Sequence, residues 1–520
     1  MANKRHFPIG EQNFANIRKD GFVYIDKTAL IYNIVSTRGK FFFFRPRRFG
    51  KSLLLSTMKY YFEGEKELFK GLAIENLEKE WKKRPVIYLD LSRGRTIDME
   101  SLISMINKNL SEYEETYHII PKESDSFSTR LTTIIQEAHR ATGEQVVVLI
   151  DEYDAPMLDC IGNEMLKKEV RNKVRDLYSP LKAQAQHLWF VFLTGITKFS
   201  QLSIFSELNN LTDISMDRRF IEICGITEKE IRDNLDDDVS GLAQENGMSK
   251  DECYTKLKDM YDGYHFRPES VGIYNPFSLL NALDQKEFRS YWFESGTPTA
   301  LAITMQKNNY SLEDITQVEA TDQLLGSVDS EDVSPIPLIY QSGYLTIKGY
   351  DQEFGAYQLG FPNKEVSEGF TKFLLPYYSP INKGQEAFFV SNFVKEVRAG
   401  KPESFMKRLE VLFADGNYQI MGDEEKYFHN AIYIIFKMLG FYVEVEHATS
   451  DGRLDLLMKT KDFIYILEFK INESADDALK QIENKQYAKP FEADGRTIYK
   501  IGINFSTKTR RIDEWKINKG

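Results

Sequence analysis

A short segment of this sequence carries the residue types that proteins use to bind phosphate groups. Gly50, Lys51 and Ser52 follow a run of four phenylalanines and a short turn, and the leucines at 53–55 begin a helical pattern. Backbone N–H groups of such a turn and the positive end of the helix can hold an anion. Lys51 would reach the β- and γ-phosphates of a nucleotide, and the Ser52 hydroxyl would bind Mg2+.

The turn before Gly50 departs from the usual phosphate-binding sequence. That sequence has a first glycine five residues earlier, where this chain has Arg45, and Pro46, Arg47 and Arg48 fill a turn that is normally rich in glycine. We therefore expect a turn that is stiffer and more cationic than the common form. The alternative is a basic turn in which Gly-Lys-Ser arose by chance.

A second motif, VVVLIDEYD at residues 146–154, supports the first. Its aliphatic residues are typical of a central strand in a parallel sheet, and its acidic residues follow at the carboxyl end, where ligands bind in open α/β sheets. Asp151 could bind Mg2+, and Glu152 could polarise the water that attacks the γ-phosphate. The alternative is that Asp151 caps the following helix. Two such motifs in this order favour nucleotide binding.

A separate group of acidic and basic residues lies near the carboxyl terminus. Glu425 falls in an amphipathic helical pattern, whereas Asp455 and Glu468 fall in two later strand-like segments. Lys470 follows Glu468 by two residues, so both side chains would point to the same face of a strand. The carboxylates could hold one or two Mg2+ ions, or Mn2+, while Lys470 positions water at a scissile phosphate. The alternative is an ordinary Glu468–Lys470 ion pair.

Length and composition limit the class of protein. A chain of 520 residues suggests about three domains, and 42% hydrophobic residues suffice for packed cores. The formal net charge of −11 argues against attraction of nucleic acid over the whole surface, but not against a local basic groove. Three scattered cysteines predict neither disulfides nor a zinc cluster. The lack of a long apolar run predicts a soluble, cytoplasmic protein with no membrane partner.

Strand and helix patterns predict the elements that position both sites. For the first site, strands are expected at 41–44, 85–91, 146–150 and 188–194, with helices at 28–35, within 97–142 and at 164–186. Alternating units of this kind predict an open parallel sheet. Residues 22–27 alternate like a short strand, and Thr227 with Glu230 resembles a capping box. For the second site, a helix is expected at 424–439, followed by strands at 441–446, 452–458 and 463–471.

Three segments, RPRRFGKSL at 45–53, DEYD at 151–154 and IFSELNNL at 204–211, resemble the bacterial AAA-ATPase-like family. The resemblance covers nearly the whole chain and implies an N-terminal AAA-like P-loop sheet with a helical lid. An arginine-rich phosphate loop is the form that this family shows. The resemblance therefore implies that ATP is bound by Arg45, Pro46, Arg47, Arg48, Phe49, Gly50, Lys51, Ser52 and Leu53.

The same resemblance implies a sensor of the γ-phosphate. In AAA-type ATPases, a polar residue at the end of the strand predicted here at 188–194 has this role. Thr194 is the candidate, and Thr197 and Lys198 are its competitors.

Members of the family often carry a C-terminal α/β restriction-endonuclease-like domain of the PD-(D/E)XK nuclease superfamily. The pattern of that superfamily, in the element order that its fold requires, is matched by Glu425, Asp455, Glu468 and Lys470. The Gln and Tyr that the RecB-like branch adds to the pattern are matched by Gln481 and Tyr487.

Together these observations predict three domains. They are an AAA-ATPase-like P-loop domain at 1–225, a mostly helical lid or connecting domain at 226–384, and a nuclease-like domain at 385–520. The predicted function is ATP binding and hydrolysis coupled to metal-dependent cleavage of nucleic acid, with DNA favoured over RNA and a homo-oligomer permitted. One rival is a nucleotide-switched interaction protein whose nuclease-like domain does not cleave, and another is an ATPase with a structural tail.

Overall fold

The computed structural model describes residues 5–198, 211–293, 301–302, 304–305, 310, 315, 318–326, 334–378, 386–414, 424–440, 444–447, 456–509 and 511–520. The chain forms two compact units, Met1–Thr304 with Gln317–Val366, and Met305–Thr316 with Ser367–Gly520. The domain boundaries expected after residues 225 and 384 stay predictions. Residues 204–210, part of one segment that carries the family resemblance, lie outside the described residues. Within the described ranges, every helix is too short or too polar to pass through a bilayer.

A five-stranded parallel sheet lies at the centre of the first unit. Side by side, its strands are β2 (Val86–Asp90), β3 (Val146–Asp151), β4 (Leu188–Gly195), β1 (Gly39–Phe44) and β5 (Leu211–Asp213). Every residue of β3 is buried, as expected for a strand covered on both faces. The predicted open parallel sheet is confirmed, and the carboxyl ends of β1, β4 and β3 lie next to one another.

Helices lie before the first strand of this sheet and between its later strands. They are α1 (Phe14–Lys19), α2 (Thr28–Val35), α3 (Lys51–Phe62), α4 (Ile74–Leu77), α5 (Met99–Thr116), α6 (Phe127–Thr142), α7 (Ala155–Asp159), α8 (Glu164–Tyr178) and α9 (Pro180–Ala183). Short 3-10 helices cover Lys66–Phe69, Ala185–His187, Arg218–Phe220 and, in the second unit, Lys489–Phe491. The helix predicted at 28–35 is confirmed.

The short strand predicted at residues 22–27 is wrong. Val23 donates one backbone hydrogen bond to the carbonyl oxygen of His6, and no ladder forms around it. The Asp26 carboxylate accepts hydrogen bonds from the backbone N–H and hydroxyl of Thr28 instead, and α2 begins there. Alternation of apolar residues alone did not separate a strand from an irregular segment with one buried side.

The single charged helix predicted at 164–186 is also wrong in its extent. It ends at Tyr178, and Pro180 begins the separate helix α9. Proline has no N–H to donate to the carbonyl oxygen four residues earlier, so α8 cannot continue through it.

Among the described residues, four helices follow the sheet at the start of the region expected to form a lid. They are α10 (Glu228–Asn234), α11 (Asp236–Glu245), α12 (Lys250–Tyr261) and α13 (Pro276–Gln285), accompanied by the short strands β6 (Ile226–Thr227) and β7 (Ile273–Tyr274). The predicted capping box is confirmed, because Thr227 and Glu230 exchange side-chain and backbone hydrogen bonds at the start of α10. A shared apolar core packs these helices together.

A small antiparallel sheet, absent from the sequence predictions, lies later in the first unit. Its strands are ordered β8 (Val318–Thr321), β10 (Ala356–Gly360) and β9 (Thr346–Asp351). Two short helices, α14 (Asp322–Leu325) and α15 (Ile336–Gln341), lie between β8 and β9 in sequence.

The second unit contains another five-stranded sheet. Its strands, side by side, are β11 (Glu444–His447), β12 (Leu456–Lys459), β13 (Phe463–Ile471), β14 (Thr497–Ser506) and β15 (Arg511–Lys519). The strand predicted at 463–471 is confirmed over its full length. Residues 441–443 and 452–455, which complete two other predicted strands, lie outside the described residues.

Helices cover both faces of this sheet. The later described helices are α16 (Lys364–Tyr378), α17 (Glu386–Arg398), α18 (Pro402–Ala414), α19 (Glu424–Gly440) and α20 (Ala475–Asn484). On one face of β13, Ile464 and Ile466 pack in a cluster with Leu479 and Ile482 of α20. On the opposite face, the ring of Tyr465 lies against the ring of Phe405 on α18, with their centroids 5.5 Å apart. The α/β architecture expected for this region is confirmed.

Candidate nucleotide and nuclease sites

The phosphate loop joins β1 to α3. Gly50 has a left-handed backbone (φ 93°) and caps the first turn of α3, which glycine allows without a steric penalty. Lys51 is 4% exposed, and its Nζ donates to the carbonyl oxygens of Arg45 (3.1 Å) and Pro46 (3.3 Å). The same Nζ lies 3.3 Å from Oε1 of Glu152. The loop therefore holds the lysine ammonium beside the acidic end of β3, although β4 lies between the two strands.

The second component is the carboxylate of Asp151, which is 3% exposed. It accepts hydrogen bonds from the hydroxyls of Thr194 (2.7 Å) and Tyr88 (3.1 Å). Burial raises the pKa of Asp151, the negative charge of Glu152 raises it further, and its interaction with the Ser52 side chain lowers it. A hydroxyl and a carboxylate in contact are oxygen donors of the type that Mg2+ prefers, so the residues present fit a magnesium ion.

An open cavity of about 570 Å³ lies over this loop, a volume in the range that holds a small-molecule ligand. Seven of the residues predicted for this site line it: Arg47, Arg48, Gly50, Lys51, Ser52, Leu53 and Glu152. Five predicted residues do not line it: Arg45, Pro46, Phe49, Asp151 and Thr194. The first group could contact a ligand directly, whereas the second group lies behind the loop or beneath it.

Arg45 and Phe49 show how the loop is supported from behind. The Arg45 guanidinium is 1% exposed and lies between the rings of Phe43 (4.5 Å) and Phe266 (3.8 Å). Its Nη1 donates to the carbonyl oxygen of Ser215 at 2.7 Å, and burial lowers the pKa of Arg45 to about 10. The Phe49 ring is also buried, and it meets the edge of Phe266. These contacts fix the loop to the helical region that follows the sheet.

Asp154, which was not predicted as a site residue, connects β3 with the end of β4. Its carboxylate is fully buried and accepts hydrogen bonds from the backbone N–H of Ile196 and from the backbone N–H and hydroxyl of Thr197. Burial raises the pKa of Asp154. Of the candidate sensors, only Thr194 contacts Asp151, because Thr197 binds Asp154 and Lys198 pairs with Asp213 at 2.8 Å.

Two cavity-lining residues have a backbone conformation that is unusual for a side chain with Cβ. Arg48 has φ 66° and Glu152 has φ 49°. Left-handed conformations of this kind carry steric strain, which folded proteins retain mainly at functional sites. Neither conformation was predicted from the sequence.

Other lining residues were missed because they belong to no recognisable motif. They come from the segment at 8–12, from the loop after β2 and from the start of α13, where Phe277 and Leu280 contribute an apolar wall. Each is brought to the cavity by the tertiary fold. A cavity lined by both apolar side chains and a cationic loop suits a ligand that combines a flat ring with phosphates.

The second candidate site lies on β13 in the other unit. Glu468 is 1% exposed, and its Oε1 accepts a hydrogen bond from Nε2 of Gln481 on α20. Nζ of Lys470 donates to Oε1 of Gln481 at 2.7 Å. The structure therefore brings Glu468, Lys470 and Gln481 together on one face of the sheet. Tyr487 instead packs against the apolar cluster beneath α20.

The remaining predicted ligands are not described at side-chain level. Glu425 lies in the first part of α19, where only the backbone is described, and Asp455 lies outside the described residues. Within the described part of the chain, no three His, Cys, Asp or Glu side chains are grouped to hold a metal ion. Glu468 supplies one hard oxygen donor. β12 begins at Leu456, which pairs with Leu467 of β13, and Asp455 precedes Leu456 in the sequence.

Helix α20 packs closely on β14 at Gly502, and this contact fixes the position of Gln481. We predict that Gly502→Ala will disturb this packing. Gly502 pairs with Glu468 across β13 and β14, and a Cβ there would collide with the Ala475 carbonyl oxygen and lie 3.0 Å from Cγ of Leu479. Because α20 must shift, the free energy of unfolding should fall by about 1–3 kcal/mol, as measured by urea denaturation.

The matched control is Gly440→Ala, where the nearest atom would be 3.8 Å from the new Cβ and α19 already includes the residue. Equal stability of the two variants would contradict the role given to the close contact at Gly502.

Comparison with known proteins identifies the class to which these features belong. Residues 8–205 match a family described as predicted AAA-ATPase, and residues 423–515 match the PD-(D/E)XK nuclease superfamily. The chain is 36% identical over 526 residues to a protein of Azotobacter chroococcum mcd 1 called "Uncharacterized protein in vnfD 5'region", with 98% of each chain covered. The chain therefore belongs to the bacterial AAA-ATPase-like family with a C-terminal PD-(D/E)XK nuclease-superfamily domain, as the sequence resemblance predicted.

Solved structures show a much weaker likeness. The Orc1 protein of Aeropyrum pernix in complex with DNA has a TM-score of 0.26 and 11% identity, covering 67% of this chain and 93% of that one. Cdc6p from Pyrobaculum aerophilum has a TM-score of 0.23 and 11% identity, covering 69% and 94%. At TM-scores this low, the matches carry no conclusion about this chain.

Proposed function

We propose that this protein binds and hydrolyses ATP in its first unit and cleaves phosphodiester bonds of nucleic acid, DNA in preference to RNA, in its second. The observation that carries the proposal is the arrangement around Lys51. A lysine ammonium, a hydroxyl and an acidic strand end meet at the base of a cavity with one apolar wall. This combination of groups suits a purine nucleotide with its magnesium ion.

Each group in the first unit would have a defined task. Lys51 would neutralise the β- and γ-phosphates, and backbone N–H groups at the start of α3 would bind their oxygens. Ser52 and Asp151 would hold the magnesium shell, with Thr194 orienting the Asp151 carboxylate. Glu152 would accept the proton of the attacking water.

In the second unit, Glu468 and Lys470 would form the core of the cleavage site. Asp455, which directly precedes β12 in the sequence, would supply a second carboxylate ligand. Glu425 would add a further ligand from α19. A metal ion, Mg2+ or Mn2+, would stabilise the charge on the scissile phosphate, while Lys470 positions the attacking water. We further propose that the ATP state controls access of nucleic acid to this site.

Lys51→Ala tests both the proposed ATP hydrolysis and its coupling to cleavage of nucleic acid. We expect ATP turnover to fall about 10²–10³-fold, because the substitution removes a charged donor aimed at the transferring phosphate. We also expect cleavage of DNA to lose its response to ATP. Phosphate release and cleavage of labelled DNA, each with and without ATP, measure the two effects.

The matched control is Lys59→Ala, on the same helix but outside the cavity lining, where the lysine lies 3.9 Å from Glu63. It should behave as the wild type. Cleavage that is unchanged by Lys51→Ala, with or without ATP, would contradict the coupling. Turnover that survives Lys51→Ala would contradict the ATPase assignment.

A further inference from the structure

We propose that Arg48 is a catalytic arginine that acts on the nucleotide bound by its own chain. The inference rests on the proposed ATPase function and extends it. Arg48 would donate hydrogen bonds to the γ-phosphate oxygens as negative charge shifts during hydrolysis. Hydrolysis would then need no arginine from a neighbouring subunit.

The first observation is the backbone of Arg48. Its φ of 66° lies in the left-handed region that glycine adopts freely and arginine does not. Phosphate loops are usually rich in glycine. A glycine at this position would relieve the strain because it has no Cβ. Strained residues cluster at functional sites, and Arg48 combines this strain with a place in the lining of the cavity over Lys51.

The second observation is the electrostatic balance of the cavity wall. Lys51 is 3.3 Å from Glu152, and Arg95 is 3.9 Å from Asp159. Among the described residues, no carboxylate lies within ion-pair distance of Arg48, whose guanidinium lies over the Phe277 ring at 4.8 Å. A guanidinium without an acidic partner at the edge of a cavity attracts an anion, and it binds phosphate through several N–H groups.

The third observation is the position of Arg48 relative to its neighbours in the loop. It stands three residues before Lys51 and lines the same cavity, so a phosphate held by Lys51 lies close to Arg48 of the same chain. Arg45 has no such access, because its guanidinium is buried between two aromatic rings. Arg47 also lines the cavity, but of these three arginines only Arg48 combines that position with a left-handed backbone, so we assign the γ-phosphate contact to Arg48.

The chemical step is the hydrolysis of ATP to ADP and phosphate. The water oxygen forms a bond to the γ-phosphorus, and the bond from that phosphorus to the β–γ bridging oxygen breaks. The bridging oxygen leaves with the electron pair as part of ADP, and one water proton passes to Glu152. N–H groups of Arg48 stabilise the charge on the γ-phosphate oxygens in the transition state.

Arg48→Gly provides the sharpest test, because it removes the guanidinium and also the backbone strain. We expect kcat for ATP to fall on the order of 10²-fold, with KM changing far less and the melting temperature no lower than that of the wild type. Added guanidinium ion should restore part of kcat in Arg48→Gly and none in Lys51→Ala. Arg48→Lys should recover only part of the rate.

A mixing experiment separates action within the chain from action between chains. Arg48→Gly retains Lys51, and Lys51→Ala retains Arg48, so a mixture would regain turnover if the arginine acted across a subunit interface. We expect the mixture to show only the residual rate of Arg48→Gly. Regained turnover, or a wild-type kcat in Arg48→Gly, would overturn this inference alone. Failure of the wild type to hydrolyse ATP would overturn the proposed function as well.

Discussion

Glu152→Gln should lower the rate of ATP hydrolysis about 10²–10⁴-fold, the loss expected when a general base is removed, while ATP stays bound. The amide keeps the size and shape of the carboxyl group but cannot accept the water proton. Glu152 lines the cavity and its Oε1 lies 3.3 Å from Nζ of Lys51, so its carboxylate adjoins the site expected for the γ-phosphate. Filter binding of ATP and single-turnover phosphate release measure the two quantities separately.

The substitution has a second expected consequence. The charge of Glu152 contributes to the raised pKa of Asp151, after burial. Removing that charge lowers the pKa of Asp151 towards its usual value, so Asp151 ionises at lower pH. Binding of magnesium with ATP should therefore persist to lower pH in Glu152→Gln than in the wild type.

A suitable control is Glu137→Gln on α6, which removes an exposed pair with Arg140 and lies outside the cavity lining. It should hydrolyse ATP at the wild-type rate. If Glu152→Gln also hydrolysed ATP at that rate, Glu152 would not be the base, and the water would have to be activated by another group.

Lys470→Ala should lower the rate of nucleic-acid cleavage by a comparable factor, about 10²–10⁴-fold, because the substitution removes the group proposed to position the water. Lys470 and Glu468 are joined through the amide of Gln481, which accepts from one and donates to the other. The loss should appear with Mg2+ and with Mn2+, on DNA and on RNA, in the presence and absence of ATP. Gel assays of labelled substrates on the full chain provide the measurement.

Lys480→Ala is the matched control. This lysine lies on α20, is 70% exposed at its side chain and pairs with Asp477 at 3.0 Å. Lys480→Ala should cleave like the wild type, whereas Asp455→Ala should lose cleavage as Lys470→Ala does. If Lys470→Ala and Asp455→Ala cleaved like the wild type, the site would be misassigned. If no form cleaved but all bound DNA, the chain would be a nucleotide-switched binding protein instead.

Local sequence patterns predicted the elements that carry the chemistry. β1 and β3 could be placed from sequence because each is a short apolar run followed closely by a glycine or by paired acids. β13 could be placed from its own run of apolar and aromatic residues. The same-face arrangement of Glu468 and Lys470 follows from strand geometry alone. The family and the fold class, predicted from the motifs, were confirmed.

Tertiary packing decided what the sequence could not show. Nothing in RPRRF distinguishes the arginine that is buried between aromatic rings, Arg45, from those that line the cavity, Arg47 and Arg48. The apolar wall at Phe277 lies more than two hundred residues from the loop in sequence. Pro180 separates α8 from α9 although the charged helical pattern continues to residue 186, because the missing N–H of a proline outweighs periodicity.

The three oxygens around Lys51 bear on the release of product. The Lys51 ammonium has two carbonyl partners and a carboxylate nearby, so binding of a nucleotide would exchange those contacts for phosphate oxygens. After hydrolysis the exchange would run backwards, and Lys51 would regain these contacts as the diphosphate leaves. We therefore expect ADP to dissociate readily, so that the chemical step limits the cycle.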